Sequence, residues 1–300
     1  MYKRQIHVAG TNGKGSSCAY MRAMLEAQGL CVHVYSSPHL VDFRERIRLR
    51  GRLIDEAALC DVLDRVDAAS AKAPLTFFEA TTAAALLSFS ETPADALILE
   101  VGLGGRLDAT NVIDTPIASL ITPVSQDHKE FLGDDLAAIA GEKAGIAKTD
   151  CPLIIAAQKP AAGDAIARHA QDVGAPIFQE GRCWSWGVDK EQLHYRDARG
   201  SLTLPLPRLL GAHQCANAAL AVACLRHQSS LEVSEEALAQ GIEEAQWPAR
   251  MQRLEHPHFR LYLDGGHNAD AAVAVASALE GLSHNGCKVH LVLGLLKNKD

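Results

Sequence analysis

The segment Ile6-His7-Val8-Ala9-Gly10-Thr11-Asn12-Gly13-Lys14-Gly15-Ser16-Ser17 says more about the architecture than any other part of the chain. Ile6 to Ala9 reads as a short buried strand. From Ser16 onward Cys18, Met21, Met24 and Leu25 recur at helical spacing, and Gly29 stops the helix. Between the two lies a glycine-rich turn with one lysine. Strand, glycine loop and helix in that order form a phosphate cradle. The glycines let backbone N–H groups turn toward an anion, the helix start adds partial positive charge, and the lysine adds a full one. The spacing Gly10-x-x-Gly13-Lys14-Gly15-Ser16 is two residues shorter than the Walker pattern. The alternative, a tight turn with an exposed lysine, leaves the order of glycine, lysine and hydroxyl between strand and helix unexplained.

Beyond this segment, Cys31 to Tyr35 reads as a second strand, so the order is β-α-β and predicts a mostly parallel sheet with helices on both faces. Ala96 to Val101 is a continuous apolar run, a fully buried strand, and Ile117 to Ile121 and Leu153 to Ala156 come after it. Helices are expected from Asp55 or Glu56 to Ala69, from Leu75 to Ser90, from Leu136 to Ala147 and from Gly211 to His227. Phe43 to Arg50 reads as a strand with four arginines on one face, either a solvated basic face or help with an anionic substrate. Cys183 to Leu206 alternates around Asp197-Ala198-Arg199-Gly200, a small antiparallel element. Trp247 to Met251 is the expected linker. After it, a strand (259 to 263), a helix (271 to 282) and a strand (288 to 293) open a second α/β unit.

The chain has 300 residues, 48% of them hydrophobic and 22% charged, enough to bury a full core. Its net charge of −7 argues against a nucleic-acid partner, which would call for a basic face. The eight cysteines include no C-x-x-C pair, so neither a zinc site nor a disulfide framework is suggested. A reducing cytoplasm fits. No apolar run is long enough to span a bilayer.

Several strand ends carry chemistry. Ser36-Ser37-Pro38-His39 comes directly after the second strand, at the edge where open α/β sheets bind ligands. Glu100 closes a buried strand, and a buried carboxylate must be paired or bind metal. A salt bridge to Arg106 is one possibility, and a magnesium site beside a phosphate loop is the other. Asp127-His128 ends a further strand. Glu142 and Lys143 are adjacent on a helix and cannot pair across one face; on their own they read as solvated charges.

Ala9-Gly10-Thr11-Asn12-Gly13-Lys14-Gly15-Ser16 resembles the ATP loop of the Mur ligase superfamily, and within it the folate branch, the dihydrofolate synthase/folylpolyglutamate synthases. Leu99 to Asn111 (LEVGLGGRLDATN) resembles that branch's second signature, and the likeness runs through nearly the whole chain. It implies a large ATP-binding central domain over 1–248 and an incomplete Rossmann-like C-terminal domain over 249–300. It also implies ATP-dependent ligation of L-glutamate to dihydropteroate or folates through an acyl phosphate. Carried over by position, Thr11, Asn12, Gly13, Lys14, Gly15, Ser16, Asn217, Arg250 and Asp264 bind ATP. Ser37, Glu100, His128 and Lys143 hold Mg²⁺, with Lys143 carbamylated. Lys14, Lys143 and His128 serve catalysis. Phe77, Phe78, Glu79, Arg106, Asp108 and His267 face the other substrates, one of the two phenylalanines against the pteridine. Gly294 to Asp300 matches a family turn that ends in Lys297 and Asp300.

The departures are Ala249, where the family has glycine, and Gly266 and Ala269, where its D-x-A-H-N-P has alanine and proline. A monomer in the cytoplasm, without membrane or nucleic acid, is expected. A peptidoglycan-precursor ligase and a non-catalytic ATP-binding fragment are the alternatives. The family pattern extends past both ends of the chain, so a shortened protein with weak Mg-ATP binding and little turnover is also expected.

Overall fold

The structure, a computed structural model, describes residues 4–71, 73–282 and 288–295. β1 (Gln5–Ala9) is buried along its whole length and passes through the glycine loop into α1 (Lys14–Ala27). The helix begins at Lys14, earlier than the hydrophobic periodicity suggested, because Gly13 supplies a left-handed N-cap (φ 92°). β2 (Val32–Tyr35) is the next strand. The strand expected over Phe43–Arg50 is corrected: Phe43–Arg46 is a 3-10 turn, and only β3 (Ile47–Leu49) is extended, paired with β4 (Arg52–Leu53). The cause is local. Asp42 accepts the Arg44 N–H at 2.9 Å, and Glu45 takes the N–H groups of Leu40, Val41 and Asp42. A capping box is thus completed at the expense of extension. Nor do the arginines form one solvated face, since Arg46 is buried.

α2 (Glu56–Ser70) is capped by Asp55, and α3 (Phe77–Glu91) by Thr76. Then come β5 (Ala96–Glu100), β6 (Ala118–Ile121), α4 (Lys129–Leu132), α5 (Leu136–Ala144), β7 (Leu153–Ile155), α6 (Pro160–Val173) and β8 (Ile177–Gln179). The main sheet has the order β4-β3-β2-β5-β1-β6-β7-β8. From β2 to β8 it is parallel, with β3 and β4 antiparallel at one edge. β1 therefore lies at the centre between β5 and β6, and the loops that leave these three strands open on the same carboxyl edge. That is the edge where such sheets bind ligands.

Both faces of the sheet are covered, so its strands are mostly apolar, with Gln5, His7, His33 and Ser119 as buried polar exceptions. Ile6, Val8, Val32, Val34, Ile98, Leu120 and Ile154 share a core with α1, α7 (Ala212–His227) and α8 (Glu235–Glu244). On the other face Tyr35, Leu97 and Leu99 meet α2 and α3, while Ile121, Leu153 and Ile155 meet α5 and α6. β9 (Trp184–Asp189), β10 (Gln192–Asp197) and β11 (Gly200–Pro205) form the small antiparallel sheet, with Trp184, Leu193, Tyr195, Leu202 and Leu204 turned into the first core. The Asp197 carboxylate ties that sheet to α7 through the Arg226 guanidinium, two contacts of 2.7 Å.

The C-terminal segment departs from the sequence reading. β12 (Gln252–Leu254), unanticipated, pairs antiparallel with β13 (Leu261–Leu263), and α9 (Ala269–Leu282) comes next. The strand expected over 288 to 293 is corrected: residues 288–295 carry no strand, and Leu291, Val292 and Leu293 are exposed. An apolar run becomes a strand only where a neighbouring ladder takes its N–H and C=O groups. Cys287, Lys297 and Asp300 lie outside the described residues. Among the described residues no helix is long and apolar enough to cross a membrane.

Candidate active site

The phosphate loop is packed so tightly that its glycines are obligatory. A Cβ on Gly10 (φ 139°) would lie 1.9 Å from Thr122 Oγ1. One on Gly13 would lie 2.4 Å from Asn217 Oδ1, and one on Gly15 would lie 2.7 Å from the Trp247 ring. Thr11 locks the loop to the segment after β6, donating through Oγ1 to Ser125 O at 3.0 Å and accepting the Ser125 N–H at 3.1 Å. Lys14 Nζ curls back onto Gly10 O and Thr11 O, 3.2 Å each. Among the described residues no side chain caps the start of α1, so that terminus remains open to an anion. Behind the loop, Gln214 Nε2 donates to Ser16 Oγ at 3.4 Å, and Asn217 Nδ2 donates to Gln214 Oε1 at 3.3 Å. Gln214 and Trp247 were missed in the sequence. The signal that could have found Gln214 was a polar residue one turn before Asn217 in an otherwise apolar helix.

Glu100 ends β5 and is 4% exposed. Burial pushes its carboxyl pKa up, and the nearby Lys14 ammonium opposes that. It accepts the Ser37 N–H at 3.3 Å, since β2, which leads to Ser37, lies beside β5. The ion pair with Arg106 does not form: Arg106 reaches Glu142 instead, Nη2 to Oε1 at 2.8 Å. Lys143 is not solvated. Burial first, and the charge of Lys14 second, pull its pKa down to about 7 against the opposing carboxylates of Asp127 and Asp108.

Among the described residues, no three His, Cys, Asp or Glu side chains gather into a cage for a metal. A buried carboxylate beside a phosphate-loop lysine nonetheless fits magnesium, which takes one or two carboxylates and completes its shell with phosphate oxygens and water. His128, in left-handed conformation (φ 53°), lines a cleft of about 560 Å³ with Asp127, Lys159, His267, Asn268 and Asp270.

The aromatic pair divides its work. Phe78 covers Gly102 and tilts against Tyr35, centroids 6.1 Å apart. Phe77 is 64% exposed, edge-on to Phe43 at 5.8 Å, with the Arg46 guanidinium 5.5 Å from its ring. Glu79 is spent on the α3 cap, accepting the Thr76 N–H at 2.8 Å. Asp108 accepts the N–H groups of Gly102 and Leu103 at 3.0 and 2.9 Å, within its own loop. In the C-terminal segment, Asp264 takes the N–H groups of Met251 and Gly266 at 2.8 and 2.7 Å, and Arg250 lies close to Gly265. Ala249 holds a left-handed conformation (φ 52°), the reason a glycine suits that place. His267 Nε2 is 3.4 Å from Asp127 Oδ2. Asn268 and Asn12 exchange amide hydrogen bonds of 3.1 and 2.9 Å, seating the C-terminal segment on the phosphate loop.

A phosphate loop on the central strand, a carboxylate on its neighbour and a buried lysine beyond it define an ATP-dependent ligase of the Mur type, and the Mur ligase middle domain family matches residues 8–225. The particular branch is given by individual proteins. The Escherichia coli dihydrofolate synthase/folylpolyglutamate synthase is 41% identical over 98% of this chain and 67% of its own length. The structure of E. coli FolC in complex with DHPP and ADP superposes with a TM-score of 0.88 at 40% identity, covering 95% of this chain and 67% of that one. A bifunctional folylpolyglutamate synthase/dihydrofolate synthase with Mn, AMPPNP and L-glutamate bound gives a TM-score of 0.85 at 37% identity, covering 93% and 66%. The chain belongs to the dihydrofolate synthase/folylpolyglutamate synthase family, the ATP-dependent glutamate ligases of the Mur superfamily. It spans about two thirds of the length of these relatives. Neither a peptidoglycan-precursor ligase nor a non-catalytic fragment is favoured.

Proposed function

We propose that the chain's site joins L-glutamate to the carboxylate of dihydropteroate or a folate through an acyl phosphate. The substrate carboxylate oxygen attacks the γ-phosphorus of ATP, and ADP leaves. The glutamate amine then attacks the acyl carbon, and the tetrahedral intermediate collapses with loss of phosphate and a proton. The observation that carries this reading is placement: β1, which leads to Lys14, pairs with β5 at Val8–Glu100, and the backbone of Lys143 packs against Gly105 of the loop after β5. The relatives solved with DHPP and ADP, or with Mn, AMPPNP and L-glutamate, support the same ligands here.

In this reading Lys14, with the loop from Thr11 to Ser16, holds the β- and γ-phosphates and offsets the charge that develops in transfer. Asn217, Arg250 and Asp264 position the nucleotide, and His267 the amino acid. Phe77, with Arg46 behind it, offers an aromatic face to the pteridine. Ser37, Glu100, His128 and Lys143 would hold magnesium, which would supply neutralisation of the phosphate charge. The buried Lys143 amine, half neutral near pH 7, adds carbon dioxide with loss of a proton and becomes a carbamate, an anion suited to metal. Residues 1–248 form the ATP-binding unit and 249–300 contribute to the glutamate side. The protein acts as a cytoplasmic monomer without nucleic acid.

An ATP-dependent phosphate-release assay with dihydropteroate, folates and UDP-muramoyl peptides tests the substrate. Whatever release occurs, small as the sequence leads one to expect, should come with the pterin substrates alone, and release with the muramoyl peptides alone would overturn the reading.

A further inference from the structure

His7 faces the α2/α3 and α5/α6 side of the central strand and is completely buried. A leucine would fill that place as apolar volume, yet the histidine leaves its Nδ1 without a partner among the described residues. Its Nε2 lies 2.8 Å from Thr110 Oγ1. The Thr110 hydroxyl in turn donates to Asp108 Oδ1 at 2.5 Å, and the Thr110 N–H bonds the same oxygen at 3.0 Å. A hydroxyl that has given its proton to a carboxylate can only accept from the imidazole. The ring is therefore the Nε2–H tautomer with a bare Nδ1, and it stays neutral, since burial and Lys148 lower its pKa to about 3.

The other Asp108 oxygen takes the N–H groups of Gly102 and Leu103, two and three residues past Glu100. The far side of this loop grips α5 and the turn after it. The Arg106 N–H bonds Glu142 O at 2.8 Å, Asn111 Nδ2 bonds Gly145 O at 3.0 Å, and a Cβ on Gly105 would lie 2.8 Å from Glu142 O. We infer that His7, Thr110 and Asp108 are positioning residues, a buried relay from the central strand that fixes the Gly102–Asn111 loop and so sets Glu100 and Lys143 relative to each other. The inference rests on the metal role proposed above for those two residues.

The test uses Thr110→Val, Thr110→Ser, His7→Leu and His7→Gln, with Glu100→Gln as reference. Mn²⁺ binding in the presence of AMPPNP is titrated by electron paramagnetic resonance, and the His7 ring nitrogens are observed by NMR. Thr110→Val and His7→Leu should weaken Mn²⁺ binding about 10-fold or more, the usual cost of losing a group behind a metal ligand, while metal-free nucleotide binding is retained. Thr110→Ser and His7→Gln keep the hydroxyl and the N–H donor and should bind as the parent does. Parent-like Mn²⁺ binding in Thr110→Val and His7→Leu, with Glu100→Gln impaired, would overturn the relay. Parent-like binding in Glu100→Gln as well would overturn the metal assignment instead. If Thr110→Val does not fold, the two His7 variants decide by the same comparison. An Nδ1–H or doubly protonated ring would also refute the relay.

Discussion

The Lys14 amine bonds to carbonyl oxygens of its own loop, contacts that a phosphate would outcompete because its charge is full. The side chain is partly exposed and belongs to no core cluster, so its loss should spare the fold. Lys14→Ala is expected to lower kcat by about 10²–10³-fold, as for loss of one group that stabilises transition-state charge, with an unchanged circular dichroism spectrum. Near-normal turnover would sink the phosphate-loop assignment. Lys143 makes the second prediction. Its pKa is depressed from 10.5 in the unfolded chain to about 7 in the fold, so the unfolded state takes up its proton first. For the uncarbamylated lysine this contribution to stability falls as the pH drops from 10.5 to about 7 and is flat below. Carbamylation needs the neutral amine, so ¹³C-bicarbonate should give a carbamate resonance that strengthens above pH 7 and is missing from Lys143→Ala. Full activity in that mutant, without bicarbonate dependence, would refute the role.

At the level of elements, the parallel sheet was legible because buried strands have a plain signature. Ala96–Leu99 and Leu153–Ile155 are apolar on both faces, Ile6–Ala9 is apolar but for His7, and the glycine loop dictates a helix after Ala9. What the sequence did not disclose were outcomes of competition between local hydrogen bonds and pairing. Phe43–Arg46 alternates like a strand but gives way to the Asp42/Glu45 box, and the apolar run over 289–293 finds no ladder. Within the candidate site, Lys14 and Glu100 were singled out by their places in the motifs and Lys143 by the family resemblance. Gln214, Trp247 and the His7 relay were not, because their partners lie roughly a hundred or more residues away. The capping box of α3 is separable from the site. Thr76→Ala should cost about 1 kcal/mol. In a domain of this size that is about 2–4 °C in Tm, readable by calorimetry. An unchanged Tm would show that Glu79 is not held by the cap and is free to meet substrate.

In the whole molecule, polar contacts join the C-terminal segment to the main α/β unit, among them the Asn12–Asn268 amide exchange, Asn268 Nδ2 to Asp127 at 3.3 Å, His267 to Asp127 at 3.4 Å and the Lys159–Asp270 ion pair at 3.2 Å. All of them border the cleft in which His128 lies. α9 has no fully buried residue, and beside these bonds it rests against α7 near Gly211. Asn12→Ala, which removes both amide bonds to Asn268 and leaves the Asn268 cap on Ala271 in place, should therefore raise hydrogen exchange along 269–282 while leaving α1 and β1 protected. Unaltered exchange would mean that α9 is held by something other than the phosphate loop.

Trp247 lies against Gly15, at the edge of the cradle, whereas the other two tryptophans, Trp184 and Trp186, belong to the antiparallel sheet. The indole is thus a built-in optical probe. In a Trp184→Phe, Trp186→Phe background, emission from a single fluorophore would report occupancy of the phosphate loop directly. Nucleotide titration would then shift its intensity or wavelength without any added label. A spectrum indifferent to ATP would place the nucleotide elsewhere.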